Sequence, residues 1–212
     1  MTQAATANSG EFFNFEPAVP YPTQDSDLLK ALSFIPSLQE VLLLRQVHAL
    51  EHATVWVLSE MMDSASPSSF NANQRDDNTL GGLSTEKGFY LYGTVNLDNL
   101  RQAVRQALDR LQGGEWNLAV HPRCGTNVSV NILLGMGLAA GASFLLPRNP
   151  LEQILGVGLA AVVANQIAPD LGELAQKYIT TSIPFNLVVD EIVQTADFWG
   201  RSSHFVQVRW QD

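Results

Sequence analysis

Residues 127–169 read NVSVNILLGMGLAAGASFLLPRNPLEQILGVGLAAVVANQIAP, and the architecture turns on how this stretch is read. From Val128 to Leu146 there is no charged residue. With Asn127 that makes about twenty positions, enough for a helix to cross a bilayer. A short link, Pro147 to Pro150, leads to a second apolar run from Ile154 to Ala168. That run reaches spanning length with help from Leu151 to Gln153 or from the turn that follows. Gly137 and Gly141 stand four apart with Gly135 and Ala139 beside them, and Gly156 and Ala160 repeat the spacing. Small residues so spaced let helix backbones approach closely in lipid. The expectation is a two-helix transmembrane hairpin over 127–169, against the alternative of two buried helices in a soluble core.

A hairpin returns the chain to the side it left. Lys and Arg lie mostly outside it, with only Arg148 in the link, so positive-inside reasoning puts both termini in the cytoplasm. The whole chain of 212 residues is 46% hydrophobic and 16% charged, which suits a protein with both membrane and soluble parts. Its net charge of −9 argues against nucleic acid as a partner, because neutralising phosphates needs clustered cations. The single cysteine, Cys124, excludes an internal disulfide. Residues 1–27 carry no cation and no apolar run of the secretory kind, and they read as a flexible leader. Its Phe12, Phe13 and Phe15 could touch the body or a membrane surface. Residues 170–212 read as a C-terminal cytoplasmic segment, starting amphipathic (LGELAQKYI) and ending in strand-like FNLVVDEIV and SHFVQVRW.

Upstream, residues 28–126 form a soluble part. An apolar stretch from Leu28 to Met62 is broken at Pro36, and a helix is expected from Ser37 onward. Ser37 and Glu40 have the spacing of a capping box. The helix, VLLLRQVHALEHATVWVLSEMM, is apolar on most faces. Arg45, His48, His52 and Ser59 line up on one stripe, and such polar groups must meet each other or a ligand, since unpaired burial is unfavourable. Residues 63–77 read as a loop, and GFYLYGTVNL as a strand with Gly81, Gly82 and Gly88 allowing turns before it. NLDNLRQAVRQALDRL is an amphipathic surface helix whose arginines need no catalytic role. WNLAV is a short strand candidate. The fold expected is mainly α, of the α+β class: a long apolar helix, a small α/β insert, the hairpin and a short mixed tail.

The chemistry lies in two clusters. His48-Ala-Leu-Glu51-His52 has the H-x-x-E-H pattern, and a spacing of four puts both imidazoles on one helix face, where they can share an ion. Glu51 beside them can act as general base toward water. His121-Pro-Arg-Cys124-Gly-Thr126-Asn127 supplies what that helix lacks. Cys124 is a candidate third ligand, and His121 an alternative or a fourth. Both binding would close the site and make it structural; one alone would leave it open for catalysis. Arg123 or Thr126 would polarise a substrate carbonyl. Zinc, or else iron, suits this donor set. The competing reading is a hydrogen-bonded polar core around His48, Arg45 and His121. His204 is left as surface or core.

HALEHATVWVL and LAVHPRCGTNVSVNILLG resemble a family of uncharacterised bacterial membrane proteins, photosynthetic bacteria included. They are also similar to a broader group of predicted metal-dependent membrane enzymes. The likeness runs from about Val41 to Leu146 and is specific at His48, Glu51, His52, His121, Pro122, Cys124, Gly125 and Thr126. The chain departs from the broader group at Leu50, where Ala is usual, and in the insert from about Asp63 to Glu115. The resemblance implies a metal site and a setting in the plasma or thylakoid membrane, and brings no reaction with it. Two functions follow as expectations. One is a metal-dependent hydrolase acting at the membrane. The other is a non-catalytic accessory or assembly factor whose hairpin packs on helices of a membrane complex, photosynthetic ones among them, with the histidines structural or axial to a pigment or haem.

Overall fold

A computed structural model describes residues 19–65, 80–147, 149–196, 200 and 202–211. Helix α1 is Gln24–Ala31 and α2 is Leu38–Ala65; strands β1 (Gly81–Thr85) and β2 (Gly88–Tyr92) follow, then α3 (Leu97–Gln112) and a 3-10 turn at Trp116–Ala119. Helices α4 (Gly125–Leu145) and α5 (Pro150–Ala175) come next, and α5 widens into a π-helical segment at Gln176–Thr180. Strands β3 (Leu187–Ala196) and β4 (Ser202–Trp210) close the chain. The described residues are thus mainly helical, with one small sheet.

The core forms around α2. Val47, Leu50, Val57 and Leu58 are buried there against Leu100, Val104 and Leu111 of α3 and against Phe89, Leu91 and Val206 of the sheet. Each such side chain contributes roughly 1.5–3 kcal/mol by leaving water. Helix α3 is amphipathic as its spacing predicts, and the side chain of Asn96 caps it by accepting the N–H groups of Asp98 and Asn99. All strand pairings are antiparallel, in the order β1-β2-β4-β3. Phe89 stands opposite Val206 and Leu91 opposite His204, so the insert and the C-terminal tail are one sheet. The sequence does not reveal this union because the paired strands lie far apart along the chain.

Several local expectations change. Gly81 and Gly82 belong to a strand rather than to a turn. WNLAV is a 3-10 turn that buries Leu118 and Ala119; a short apolar run fits either shape, and here it fills a gap between helices instead of pairing. Ser37 has φ of 59°, not the extended backbone of a capping residue, and its carbonyl accepts the Val41 N–H at 3.2 Å. Helix α1 starts inside the stretch read as leader. In α1, buried Asp25 accepts hydrogen bonds from Gln46 at 2.6 Å and Ser182 at 2.9 Å. Phe12, Phe13, Phe15, residues 66–77 and Arg148 lie outside the described residues.

Gly125–Leu145 and Pro150–Thr180 are each long and apolar enough to cross a membrane. They pack on each other and leave large apolar side chains outward: Leu133, Met136, Phe144, Leu145, Ile154 and Leu159 are all at least 66% exposed. No residue of α4 is buried, and α5 buries only Ala160, Ala164, Ala168 and Gly172, a seam of small residues at spacings of four. Gly156 continues that seam; a Cβ there would collide with Leu146. Asn131 donates to Asn165 across the pair at 3.3 Å. Gly137 and Gly141, expected at the close contact, have nothing within 4 Å, because the seam runs along α5's small residues instead. The second helix also passes Pro169 and takes in the amphipathic segment assigned to the tail.

Candidate metal centre

Helix α2 turns His48 and His52 toward the place where the 3-10 turn, the start of α4 and the end of the π segment meet. His52 Nδ1 is 2.7 Å from the Ala119 carbonyl oxygen, and His48 Nδ1 is 3.0 Å from that of Thr180. A carbonyl only accepts, so both Nδ1 atoms carry the hydrogen and both Nε2 lone pairs are left for an ion. Cys124 Sγ lies 3.2 Å from His48 Nε2. The three ligand atoms of His48, His52 and Cys124 all fall within 4.8 Å of one another. With bonds of about 2.3 Å to sulfur and 2.0–2.1 Å to nitrogen, ligands on a tetrahedral zinc stand roughly 3.5 Å apart, so the donor set fits the ion in chemistry and in scale.

Cys124 also caps α4, its Sγ accepting the Thr126 N–H at 3.4 Å. Burial pushes its thiol up, yet the adjoining His52 imidazole and the Thr126 N–H outweigh this and hold it below its ordinary value. A helix N-terminus favours the thiolate in the same direction, and the thiolate is the metal-binding form.

Beside the triad, a cavity of about 590 Å³ takes in Glu51, Arg123 and the strand β1. Glu51 is buried, and the Ser84 hydroxyl of β1 donates to its Oε2. Gly82 is pressed so close that a Cβ would overlap the Glu51 carboxyl group. Burial raises the Glu51 carboxyl above its ordinary value, while the Ser84 hydrogen bond and the neighbouring His48 pull the other way. A carboxyl raised toward neutrality suits proton transfer.

His121 lines the cavity, its ring centroid 5.6 Å from that of His52, but it stands outside the cluster of three. Its backbone N–H donates to buried Gln176 at 2.8 Å, and its Nδ1 accepts the Arg123 N–H at 3.3 Å, which puts its ring hydrogen on Nε2. Arg123 and Thr126 line the cavity, and Thr126 Oγ1 is 3.2 Å from Thr180 Oγ1. Arg45 faces elsewhere, donating to the carbonyls of Thr181 at 3.0 Å and Tyr178 at 3.3 Å, so it ties α2 to the segment after α5. Ser59 bonds back to Val55 of its own helix. His204 is buried in β4 opposite Leu91, and burial holds its pKa below the ordinary value.

A family defined as a domain of unknown function, DUF6391, matches residues 43–192, more than half of the chain. The chain belongs to the DUF6391 family. The matched segment contains His48, Glu51, His52, Cys124 and both long apolar helices, and leaves out β4. An uncharacterised protein of the cyanobacterium Picosynechococcus sp. (strain ATCC 27264 / PCC 7002 / PR-6) is 52% identical over 193 residues, covering 91% of this chain and 92% of its own length. No solved structure matches this DUF6391 chain.

Ser84, Gly82, Thr180 and Gln176 were not foreseen at the site. A glycine inside a strand marks a close approach of something to the backbone, and Gly82 carried that signal. Thr180 acts through its carbonyl, which no side-chain pattern announces.

Proposed function

We propose that this DUF6391 protein is an integral membrane protein with a zinc-type site, a metal-dependent hydrolase seated by its hairpin in the plasma or thylakoid membrane with both termini cytoplasmic. The observation that carries the reading is the convergence of two oriented imidazoles and one thiol beside a buried carboxyl group. Three protein ligands leave a fourth position open, as in catalytic rather than structural sites. A zinc or iron ion there supplies Lewis acidity and brings the pKa of water from 15.7 to about 7. Glu51 accepts the proton of the attacking water at its carboxylate, with Ser84 fixing Oε2. Arg123 draws the substrate carbonyl or a neighbouring anion into line. His121 and Gln176 hold the Arg123 loop against α5.

The test is metal content and ester or amide hydrolysis in detergent-purified protein. About one ion per chain is expected in the wild type and none after His52→Ala or Cys124→Ala. Glu51→Gln should keep the ion and lose hydrolysis. Wild-type protein without metal, after a chelator-free preparation, would remove the reading.

One observation favours a second function, an accessory or assembly factor of a membrane complex. The Gly137 and Gly141 face of α4 has nothing within 4 Å and is open to a partner helix. Under that reading Glu51→Gln changes nothing, and a stoichiometric partner copurifies.

A further inference from the structure

The cavity at the metal triad has a lining of two chemistries. His48, His52, Cys124 and Glu51 supply the reacting end, while Leu44, Val55, Leu80 and Leu83 supply an apolar surface. Leu44 is 38% and Leu83 53% exposed, so the apolar part reaches the outside of the molecule. Gly125 and Thr126, the first turn of α4, also line the cavity, as does Thr180 at the end of the segment that continues α5. The roots of both membrane-length helices therefore form part of its rim. Close to these residues along the chain, Val41, Val128, Ile132 and Ile179 are all more than half exposed. A small water-soluble substrate would leave these apolar side chains unused, whereas a molecule that lies in the bilayer would meet them without leaving an apolar medium.

We infer that the site takes an amphipathic, membrane-borne substrate: a linear acyl chain ending in a carboxylic ester or amide. The inference rests on the metal reading of the triad. The chain lies along Leu44, Val55, Leu80 and Leu83, and the carbonyl meets the open metal position. Hydrolysis adds water across the acyl C–O or C–N bond. The water oxygen bonds to the carbonyl carbon, Glu51 takes one of its protons and returns it to the leaving oxygen or nitrogen, and a fatty acid and an alcohol or amine depart. A cavity of this size lies in the range that encloses small-molecule ligands.

Two metal-chelating probes of different chain length, acetohydroxamate and octanohydroxamate, test this on zinc-loaded, detergent-purified full chain by calorimetry. Each buried methylene is worth about 0.8 kcal/mol, roughly a factor of four. Three or four buried methylenes should therefore make octanohydroxamate bind about a hundredfold more tightly. Leu44→Gln and Leu83→Gln, both at exposed positions, should each reduce that preference to about tenfold or less and leave acetohydroxamate unchanged. Partitioning of the long probe into detergent affects wild type and variants alike, so the difference between them isolates the cavity. Metal-dependent binding with no chain-length preference, or a preference the two variants leave intact, overturns the amphipathic substrate and spares the metal site. Binding that survives His52→Ala, or failure of both probes to bind, removes the metal site and this inference with it.

Discussion

Gly82→Ala should disable the site from a strand that carries none of its ligands. The added Cβ would fall on the Glu51 carboxyl group, and that group is held on its other side by Ser84. Gly82 has no positive φ, so the backbone itself accepts alanine and the collision is the whole effect. Either β1 shifts outward or Glu51 swings away. Overpacking of a filled site costs about 1–3 kcal/mol. If Glu51 swings, a buried carboxyl loses its hydrogen bond, a loss of about 1–3 kcal/mol again. The easier route sets the outcome, so a drop of about 1–3 kcal/mol is expected, or roughly 2–12 °C in Tm for a chain of this length. Differential scanning calorimetry on metal-free protein reads it. Gly81→Ala is the control, since a Cβ there meets nothing within 4 Å. The decisive measurement is the double variant Gly82→Ala with Glu51→Ala. Removing the carboxylate removes the collision, so the two losses should fall short of additivity by about 1 kcal/mol or more. Strict additivity, or a Gly82→Ala variant as stable as Gly81→Ala, would refute the placement of β1 over Glu51.

Other outcomes follow from the same geometry. His48→Ala should empty the site as His52→Ala does, while His121→Ala should keep its metal by elemental analysis, because His121 presents a hydrogen-bearing Nε2; loss of the ion in His121→Ala would restore it as a ligand. In metal-stripped protein, Glu51→Gln should gain on the wild type as pH rises. Burial holds the folded Glu51 pKa above its unfolded value of 4.5, so the wild type keeps its full stability below that pH and loses some on passing the folded value. Melting curves at about pH 4 and pH 7.5 check the sign, and a gap that narrows toward neutral pH would reverse it. Gln176→Ala should lower stability by about 1–3 kcal/mol, since it strands the buried His121 N–H and the Asn127 side chain. Gly156→Leu should splay the hairpin where Gly137→Leu does not, read as resistance of the folded pair to protease in micelles; equal behaviour would dissolve the seam assigned to α5.

The sequence was most informative where one residue type has one use. His48 and His52 at a spacing of four must share a helix face, and the lone Cys124 had few other roles to play. The long uncharged run fixed α4 almost to the residue. What escaped was whatever depended on contacts between distant segments. Ser84 looks like any strand serine until β1 is laid across α2. The union of β2 with β4 needs pairing across most of the chain, and no local pattern encodes it. WNLAV misleads because short apolar runs carry no period. The second apolar run is bounded at 169, where the apolar pattern stops, yet the helix supported by its neighbour continues past Pro169, although proline removes one backbone donor. Gly137 and Gly141 matched a packing motif, but which face of a helix meets its neighbour is set by both partners, and α5 presents the smaller seam.

The candidate metal triad and the hairpin share their ends. Cys124 is the residue immediately before α4, and Thr180, whose carbonyl orients His48, is the last residue of the stretch that leaves α5. Under the membrane reading the chain therefore enters and leaves the bilayer at the two points that complete the ion's surroundings. A nascent chain whose hairpin has not yet inserted would hold Cys124 and Thr180 apart, and would offer two imidazoles, that of His48 without the carbonyl that orients it. Metal acquisition would then wait on insertion, and the ion would act as a rivet set after the frame is in place. A reactive centre that can be charged only in its proper compartment needs no separate inhibitor while it travels there.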